Sequence, residues 1–400
     1  MIMWVGFTIP LIATILLVVF FRERTRIIEI VILWILSIGI IFIAKIMAER
    51  MDANEIEYWG EYGVKVEYYE EWDEWVHQIC TSTDSEGNVT TYDCSYRQYH
   101  GPEWHVVTNL NNHYNIPEKK YKEMLYTWDN KRFVDLNRDY YNIDGNKYES
   151  YWDKKDYNIF PVITTHYYQN KVANSSSIYE FPEVDTSKHK VFEYPEVENY
   201  NCNSILSEVK SKDIYWADKL LTNYNAKYGA QKQVRMWILI FKDKPFTYAM
   251  HQENYWKRGN KNEIVLCIGV RGDSLRVDWT KCFSWTDKEI LKARLEDFVR
   301  FQKNLDIYKT VNTMKDEVLS TFVRKPFEEF DYLEVEPSLT ITIIALIFIL
   351  LSVGGITVYI IFNEFDNNEE ELYNNLGNKR NKSMWYNFKI LYGGNKWNKQ

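Results

Sequence analysis

The side chains best suited to chemistry in this 400-residue chain gather between positions 77 and 113. Cys80 and Cys94 lie there, flanked by His77, His100, His105 and His113. Two chemistries compete for the set. Thiolates and imidazoles at short spacing are zinc ligands, and His77-x-x-Cys80 has the form of half a binding motif, which Cys94 and His100 would complete. The two cysteines can instead be oxidised to each other. Between them, Glu86-Gly87-Asn88 has the residue types of a three-residue turn, and a hairpin centred on Gly87 sets position 80 opposite position 94. Opposed residues have Cα atoms about 4.5 to 5.5 Å apart, within the range of a disulfide. Side chains alternate along a strand, so His77 and Cys80 point to opposite faces, and His100 lies about 20 Å along the strand from Cys94. Zinc needs its ligands within about 2.3 Å of one ion. The geometry favours the disulfide, with zinc as the alternative.

Other motifs carry less. Tyr140-Tyr141-Asn142-Ile143-Asp144-Gly145 nearly matches a calcium loop, but Tyr140 and Tyr151 fill the first and twelfth positions, where acids are required. Asp144-Gly145-Asn146 reads instead as a hairpin turn, and calcium stands only as an alternative cofactor. Glu67, Glu70, Glu71, Asp73 and Glu74 could form a metal or acid–base cluster, yet such a run ordinarily lines a solvated face. Arg271-Gly272-Asp273 copies an integrin tripeptide that any tight turn can contain. No Gly-x-Ser-x-Gly elbow, His-Glu-x-x-His pair or phosphate-binding glycine spacing occurs. Cys267 falls in an apolar strand, Cys282 on the strand paired with it is placed to bridge to it, and Cys202 is the odd one of five.

These groups are positioned by a chain organised around its first fifty residues. Met3 to Phe21, Ile27 to Ala48 and Ser338 to Phe362 are apolar runs of the length that crosses a hydrocarbon layer, roughly 20 residues. The turn Arg22-Glu23-Arg24-Thr25-Arg26 is basic, and Lys379, Arg380, Lys382, Lys389, Lys396 and Lys399 make the tail basic. Cations are retained on the cytoplasmic side, so the N-terminus, and residues 49–336 with it, are expected outside and the tail inside the cell membrane. A cleaved signal is the competing reading of the first run, but its charges follow the apolar stretch instead of preceding it. The expected architecture is a membrane-anchored α+β protein: a transmembrane pair (3–21 and 27–48, within 1–48), a strand-rich aromatic lobe at 49–199, a small α/β sandwich lobe at 200–336, a third span at 337–362, and a cytoplasmic tail at 363–400. Outside the cytoplasm the Cys80–Cys94 pair is expected to be oxidised.

Within the first lobe, Val64, Val66 and Tyr68 alternate with charged residues as in a half-buried strand, and Pro117 opens a short helix to Trp128. Pro182, Pro195 and Asp185-Thr186-Ser187-Lys188 mark a connector between about 181 and 203. The second lobe is more regular. A helix from Asp213 stops at Gly229, then come a buried strand at Val234 to Phe241, a helix from Pro245 to Trp256, strands at Ile264 to Val270 and Leu275 to Phe283, and two helices ending at Phe322. This order gives parallel strands with a crossover helix, then a hairpin.

Of the formal charge of -8, the first 48 residues carry +2 and residues 363–400 carry +1, which leaves -11 on residues 49–362. An acidic domain repels phosphate backbones, which argues against nucleic acid as a partner. The 31 Tyr and 15 Trp supply core and amphipathic contact surface instead.

Tyr228-Gly229, the strand through Trp237, the helix ending in Tyr255-Trp256, Gly259-Asn260-Lys261-Asn262-Glu263 and the strand Ile264 to Gly269 resemble the bacterial and plastid TPM domain over residues 204–323. That family is often membrane-anchored with the domain exported, and some members are credited with phosphatase activity or with assembling membrane complexes. Where it usually continues with an Asp-Arg pair, this chain has Gly269-Val270-Arg271-Gly272-Asp273. The whole chain also resembles uncharacterised membrane proteins of gut Bacteroidales and their tailed phages. The function expected is an exported interaction or assembly domain without evident catalysis, with the bilayer and a protein on the exported side as partners. The alternative is a metal-assisted phosphatase using Glu263 and Asp273. Three spans leave little room for a pore, and Glu29 and Lys45 sit near helix ends where they can snorkel.

Overall fold

The computed structural model describes residues 2–21, 25–136, 140–155, 158–172, 175, 181–200 and 202–375. Arg22, Glu23 and Arg24 of the basic turn and all the tail cations lie outside the described residues, as do Asn174, Ser176 and Ser177 of the serine-rich run. The chain forms two compact units, residues 1–53 with 335–400, and residues 54–334.

The first unit contains α1 (Ile2–Phe20), α2 (Ile27–Asp52) and the last helix, α8 (Leu339–Asn375). Each holds a stretch long and apolar enough to cross a membrane, in α8 as far as Phe362. They pack through Leu17, Leu33, Ile41, Ile349 and Val353, and the Trp34 indole donates to Thr14 at 3.0 Å. Ile12, Ile35, Phe42, Ile347 and Leu351 face outward. A water-soluble bundle turns its apolar stripe inward; an outer surface like this one suits hydrocarbon. Helix α2 runs on to Asp52, past the Ala48 expected, since Glu49, Arg50 and Met51 are good helix formers and Lys45 pairs with Glu49 at 3.4 Å.

The second unit is mixed sheet and helix. Its longest strand, β1 (Asn54–Tyr69), is followed by β2 (Trp72–Val76), β3 (Ile79–Thr83), β4 (Val89–Asp93), β5 (Tyr96–His100), β6 (Glu103–Thr108) and β7 (His113–Asn115). Helix α3 (Glu118–Trp128) precedes β8 (Arg132–Val134), β9 (Tyr140–Asp144), β10 (Lys147–Tyr151) and β11 (Phe160–Gln169). The main antiparallel sheet has the order β7-β6-β1-β10-β8, and β11 pairs with the first half of β1, from Asn54 opposite Gln169 to Gly63 opposite Phe160. Val66, Val106 and Val162 project from it beneath Tyr121 and Trp128 of α3.

Two turns differ from expectation. In the β3–β4 ribbon Cys80 opposes Tyr92, not Cys94, because the Asp84 carboxylate accepts the N–H groups of Glu86 and Asn88 at 2.9 Å and the reversal spans 84–88. Asp144-Gly145-Asn146 is not a hairpin turn either. Strand β9 joins a three-stranded sheet, β5-β2-β9, while β10 returns to the main sheet. Gly145, at φ 62°, lets the chain change sheets there.

The other sheet is formed by β12 (Ile205–Ser207), β13 (Arg235–Lys242), β14 (Glu263–Arg271) and β15 (Arg276–Ser284), the first three parallel and the last antiparallel. Helices α4 (Lys212–Lys232) and α5 (Thr247–Tyr255) are the crossovers, and α6 (Glu289–Arg300) and α7 (Ile307–Thr321) follow. One face packs under α4, α6 and α7 through Leu221, Ile238, Leu266, Leu295 and Met314. The opposite face packs under α5 and the irregular segment 181–200 through Trp237, Phe241, Trp256, Phe192 and Tyr194. Burial on both faces explains the unbroken apolar run from Met236 to Phe241.

Helix α4 does not end at Gly229. It continues to Lys232 and closes on Gln233 at φ 49°. Gly229 is instead a point of close approach, because a Cβ there would lie 2.5 Å from the Gly60 nitrogen of β1.

Candidate functional site

A cleft of about 510 Å³ opens where the start of β1, the segment 181–194 and the end of α5 meet. Glu55 and Tyr58 come from β1, Glu193 and Tyr194 from the irregular segment, and Tyr255, Trp256 and Asn260 from α5 and its following turn. The segment is seated by a clasp of main chain to side chain: Phe192 N–H donates to Gln252 Oε1 at 2.8 Å, and its carbonyl accepts from Gln252 Nε2 at 3.0 Å and Trp256 Nε1 at 2.8 Å. The opposite wall turns through Lys257, Arg258 and Gly259, which have φ of 48°, 66° and 76°. Left-handed backbone at two successive non-glycine residues is unfavourable by itself and is held here by main-chain hydrogen bonds, from Lys257 N–H to Asn254 O at 3.0 Å and from Arg258 N–H to Glu253 O at 2.8 Å. A second recess, of about 490 Å³, runs along the exposed face of α3 between Glu118 and Tyr126 and gathers no buried polar group.

Glu263 lies under the cleft, fully buried. Its Oε1 accepts from the Tyr194 hydroxyl at 2.5 Å and the Trp237 indole at 2.9 Å, and its Oε2 from the Asn260 N–H at 2.8 Å. Burial, with the Glu263 charge beside it, pushes the Tyr194 hydroxyl well above its ordinary range, so it stays a donor. Arg235 is in register with Glu263 on the neighbouring strand, itself buried and 4.4 Å over the Trp237 ring. At the mouth, Glu55 Oε2 accepts from Tyr168 OH at 2.9 Å and Asn170 Nδ2 at 2.6 Å, and Glu193 Oε2 from Tyr255 OH. The Trp285 indole donates to the Gly259 carbonyl at 2.9 Å. Every carboxylate of the cleft thus accepts a hydrogen bond from a tyrosine hydroxyl. Beyond the Tyr168 ring a second buried charge cluster stands: Glu57 accepts from Arg324 Nε at 3.1 Å and also from its Nη2, and Lys261 Nζ is 3.8 Å from Glu57 and 4.4 Å over Tyr168.

The candidates drawn from sequence are distributed as follows. Cys80 and Cys94 are disulfide-bonded, with Cα atoms 5.8 Å apart, although the ribbon register is not the one expected; Cys94, just past β4, is drawn in by its N–H bond to Gln78 O at 2.9 Å. Both sulfurs are therefore committed to each other and not to zinc. His77 packs edge-on to Trp75, and His100 stacks on Trp72 at 4.5 Å and bonds Glu74 at 2.8 Å. Among the described residues no three His, Cys, Asp or Glu side chains are grouped as a metal site. Cys267 and Cys282 are free. Register places Cys267 opposite Lys281 and Cys282 opposite Leu266, so the two thiols project from opposite faces of the sheet and cannot bridge. Cys202 is also free.

Glu263 and Asp273 do not converge. Ten residues of extended chain separate them, about 30 Å at strand rise, and Asp273 is fully exposed with its carboxylate 2.9 Å from Lys242. The acids at 67–74 are not simply a solvated face. Glu67 is buried against Lys65 and Lys147, Tyr99 donates to Glu71 at 2.7 Å, and Arg97 faces Asp73 at 3.9 Å. Across the ladder Glu149 meets both lysines, at 2.9 Å and 2.8 Å, which closes an ionic quartet. The cleft escaped sequence reasoning because its residues come from five separate stretches. The one local signal was the Phe192 and Tyr194 alternation inside an otherwise polar connector. Compared with family models, curated proteins and solved structures, the chain matches none.

Proposed function

We propose that the chain is a membrane-anchored binding protein of the cell membrane, with its N-terminus and residues 49–336 extracytoplasmic, its tail cytoplasmic, and the cleft as its recognition site. The observation that carries this reading is the Cys80–Cys94 bond, held in a ribbon whose strands are exposed to solvent on both faces. A disulfide so accessible to reducing thiols persists in an oxidising compartment. Three apolar helices and the basic turn and tail support the anchoring and its direction. The aromatic walls support recognition, since Tyr and Trp are preferred anchors of binding surfaces. The order α4, β13, α5, β14, β15 supports distant kinship with the TPM domain, whereas the spread of Glu263 and Asp273 speaks against the phosphatase alternative. Intact membranes alkylated before lysis and analysed by non-reducing peptide mass spectrometry should yield the Cys80–Cys94 linked peptide. Quantitative alkylation of both thiols would remove the basis for an exported domain. Crosslinking in the same membranes is expected to recover a specific protein partner.

A further inference from the structure

We infer that the cleft binds an organic cation, an alkylammonium or guanidinium group with an apolar stem. This rests on the binding reading above and names the ligand class for that site. The warrant is the balance of hydrogen-bonding capacity. The hydroxyls of Tyr194 and Tyr255, the indoles of Trp256 and Trp285 and the amide of Asn170 all donate inward, to protein acceptors. What remains open is acceptor capacity: among the described residues, Glu55 and Glu193 each engage Oε2 and leave Oε1 without a protein partner. Among the described residues that line the cleft, the donors left over are the Tyr58 hydroxyl and, on the exposed rim, Lys257; Arg235 Nε and Nη2 are also without a partner, but they are buried behind the lining. Glu263 is offset by Arg235 in register beside it, so the negative charge of the cleft belongs to Glu55 and Glu193, two carboxylates against the single rim cation Lys257. A ligand must therefore bring donors and positive charge.

Two further observations select a cation over a neutral sugar, which would also bring donors. Trp256 and Trp285 are only 7% and 6% exposed, which leaves little open ring face on which a sugar could stack. Residues 49–362 carry a net -11, which draws cations toward the surface and repels anions. Glu55 is half-buried beside Ile56 and Val172, which strengthens its attraction for a charged group, and Glu193 stands exposed at the mouth. The cleft volume has room for a stem as well as a head group.

The test is calorimetric titration of the full chain in detergent micelles with n-butylguanidinium and n-butylammonium, and with a neutral trisaccharide. Saturable binding of the cations is expected, weakening with added salt and falling about tenfold in Glu193→Gln, as for loss of one charge-assisted hydrogen bond. Glu55→Gln should act likewise, and Asp273→Asn, remote and exposed, should leave affinity unchanged. Tighter binding of a short arginine peptide than of spermidine assigns the cation to a protein partner; the reverse order assigns it to a free amine. Saturable binding of the trisaccharide without the cations, or cation affinity equal in wild type and both Gln variants, overturns the inference. The titration uses purified protein, so its failure is separate from a failure of the proposed topology.

Discussion

Alanine at position 229 sets two physical effects against each other. In an isolated helix the exchange from glycine is favourable by about 1 kcal/mol, because alanine loses less backbone entropy. In this protein the new methyl would sit 2.5 Å from the Gly60 nitrogen and 3.1 Å from its Cα and carbonyl oxygen. Those atoms belong to the β1–β11 ladder, where Gly60 opposes Ile163, so no side chain can swing aside to make room. Overpacking that side chains can absorb costs about 1 to 3 kcal/mol, and a clash with main chain belongs at the top of that range or above it. The balance is a net loss of roughly 2 kcal/mol, or a midpoint about 4 to 8 °C lower for a unit of this size. Thermal unfolding of the full chain in detergent, followed by tryptophan fluorescence, measures it. Gly39→Ala, in a helix where the added Cβ meets nothing within 4 Å, is the matched control and should not lower the midpoint. If Gly229→Ala unfolds at or above the wild-type temperature, the close approach of α4 to β1 does not limit stability and the reasoning fails.

Two other perturbations test the buried charges. Glu57→Gln leaves Lys261, 4% exposed, and Arg324 without their carboxylate, and should destabilise by about 3 kcal/mol in urea unfolding at pH 7. Burial already lowers the Lys261 ammonium below its ordinary value against the pull of Glu57, so the unfolded chain binds more protons in the alkaline range and the deficit should shrink toward pH 10. In the ionic quartet, burial alone would raise the Glu149 carboxyl, but hydrogen bonds from Lys147, Tyr151 and Lys65 outweigh it and lower it from 4.5 to about 2. A depressed carboxylate stabilises above its unfolded pKa and loses that contribution as pH falls through the folded one. Stability from this site should therefore be complete above about pH 5 and fade toward pH 2; Glu149→Gln should flatten that acid limb of the unfolding curve.

Sequence patterns revealed the parts of this fold that depend on local periodicity. The three apolar helices, the strand from Met236 to Phe241 buried on both faces, the crossover helix α5 and the β14–β15 hairpin were all legible, because each repeats one residue preference over many positions. What failed depended on a partner distant in the chain. Gly229 has the residue type of a helix stop, and only the passage of Gly60 beside it shows why a glycine is needed inside the helix. Cys80 and Cys94 were correctly paired from spacing, while the register between them was set by an Asp84 side chain that spacing does not report. Cys267 and Cys282 looked bridgeable until the pairing with Leu266 and Lys281 put them on opposite faces. The cleft was least legible of all. Its acids and tyrosines are ordinary residues singly, and their pairing as Glu55 with Tyr168, Glu193 with Tyr255 and Glu263 with Tyr194 exists only once the chain has folded.

The bond between Glu57 and Arg324 spans 267 residues, nearly the whole of the 54–334 unit. A ribosome adding about 5 to 20 residues per second needs roughly 15 to 50 s to travel that far, and throughout that interval the nascent chain holds a carboxylate whose destination has not been made. If β1 pairs with β11 as soon as both are made, Glu57 enters the ladder opposite His166 before Arg324 and Lys261 exist to neutralise it, which makes that step unfavourable until the end of the unit emerges. Premature termination before residue 324 therefore leaves Glu57 without its guanidinium partner even when every strand of the first sheet, which ends with β11, has been made.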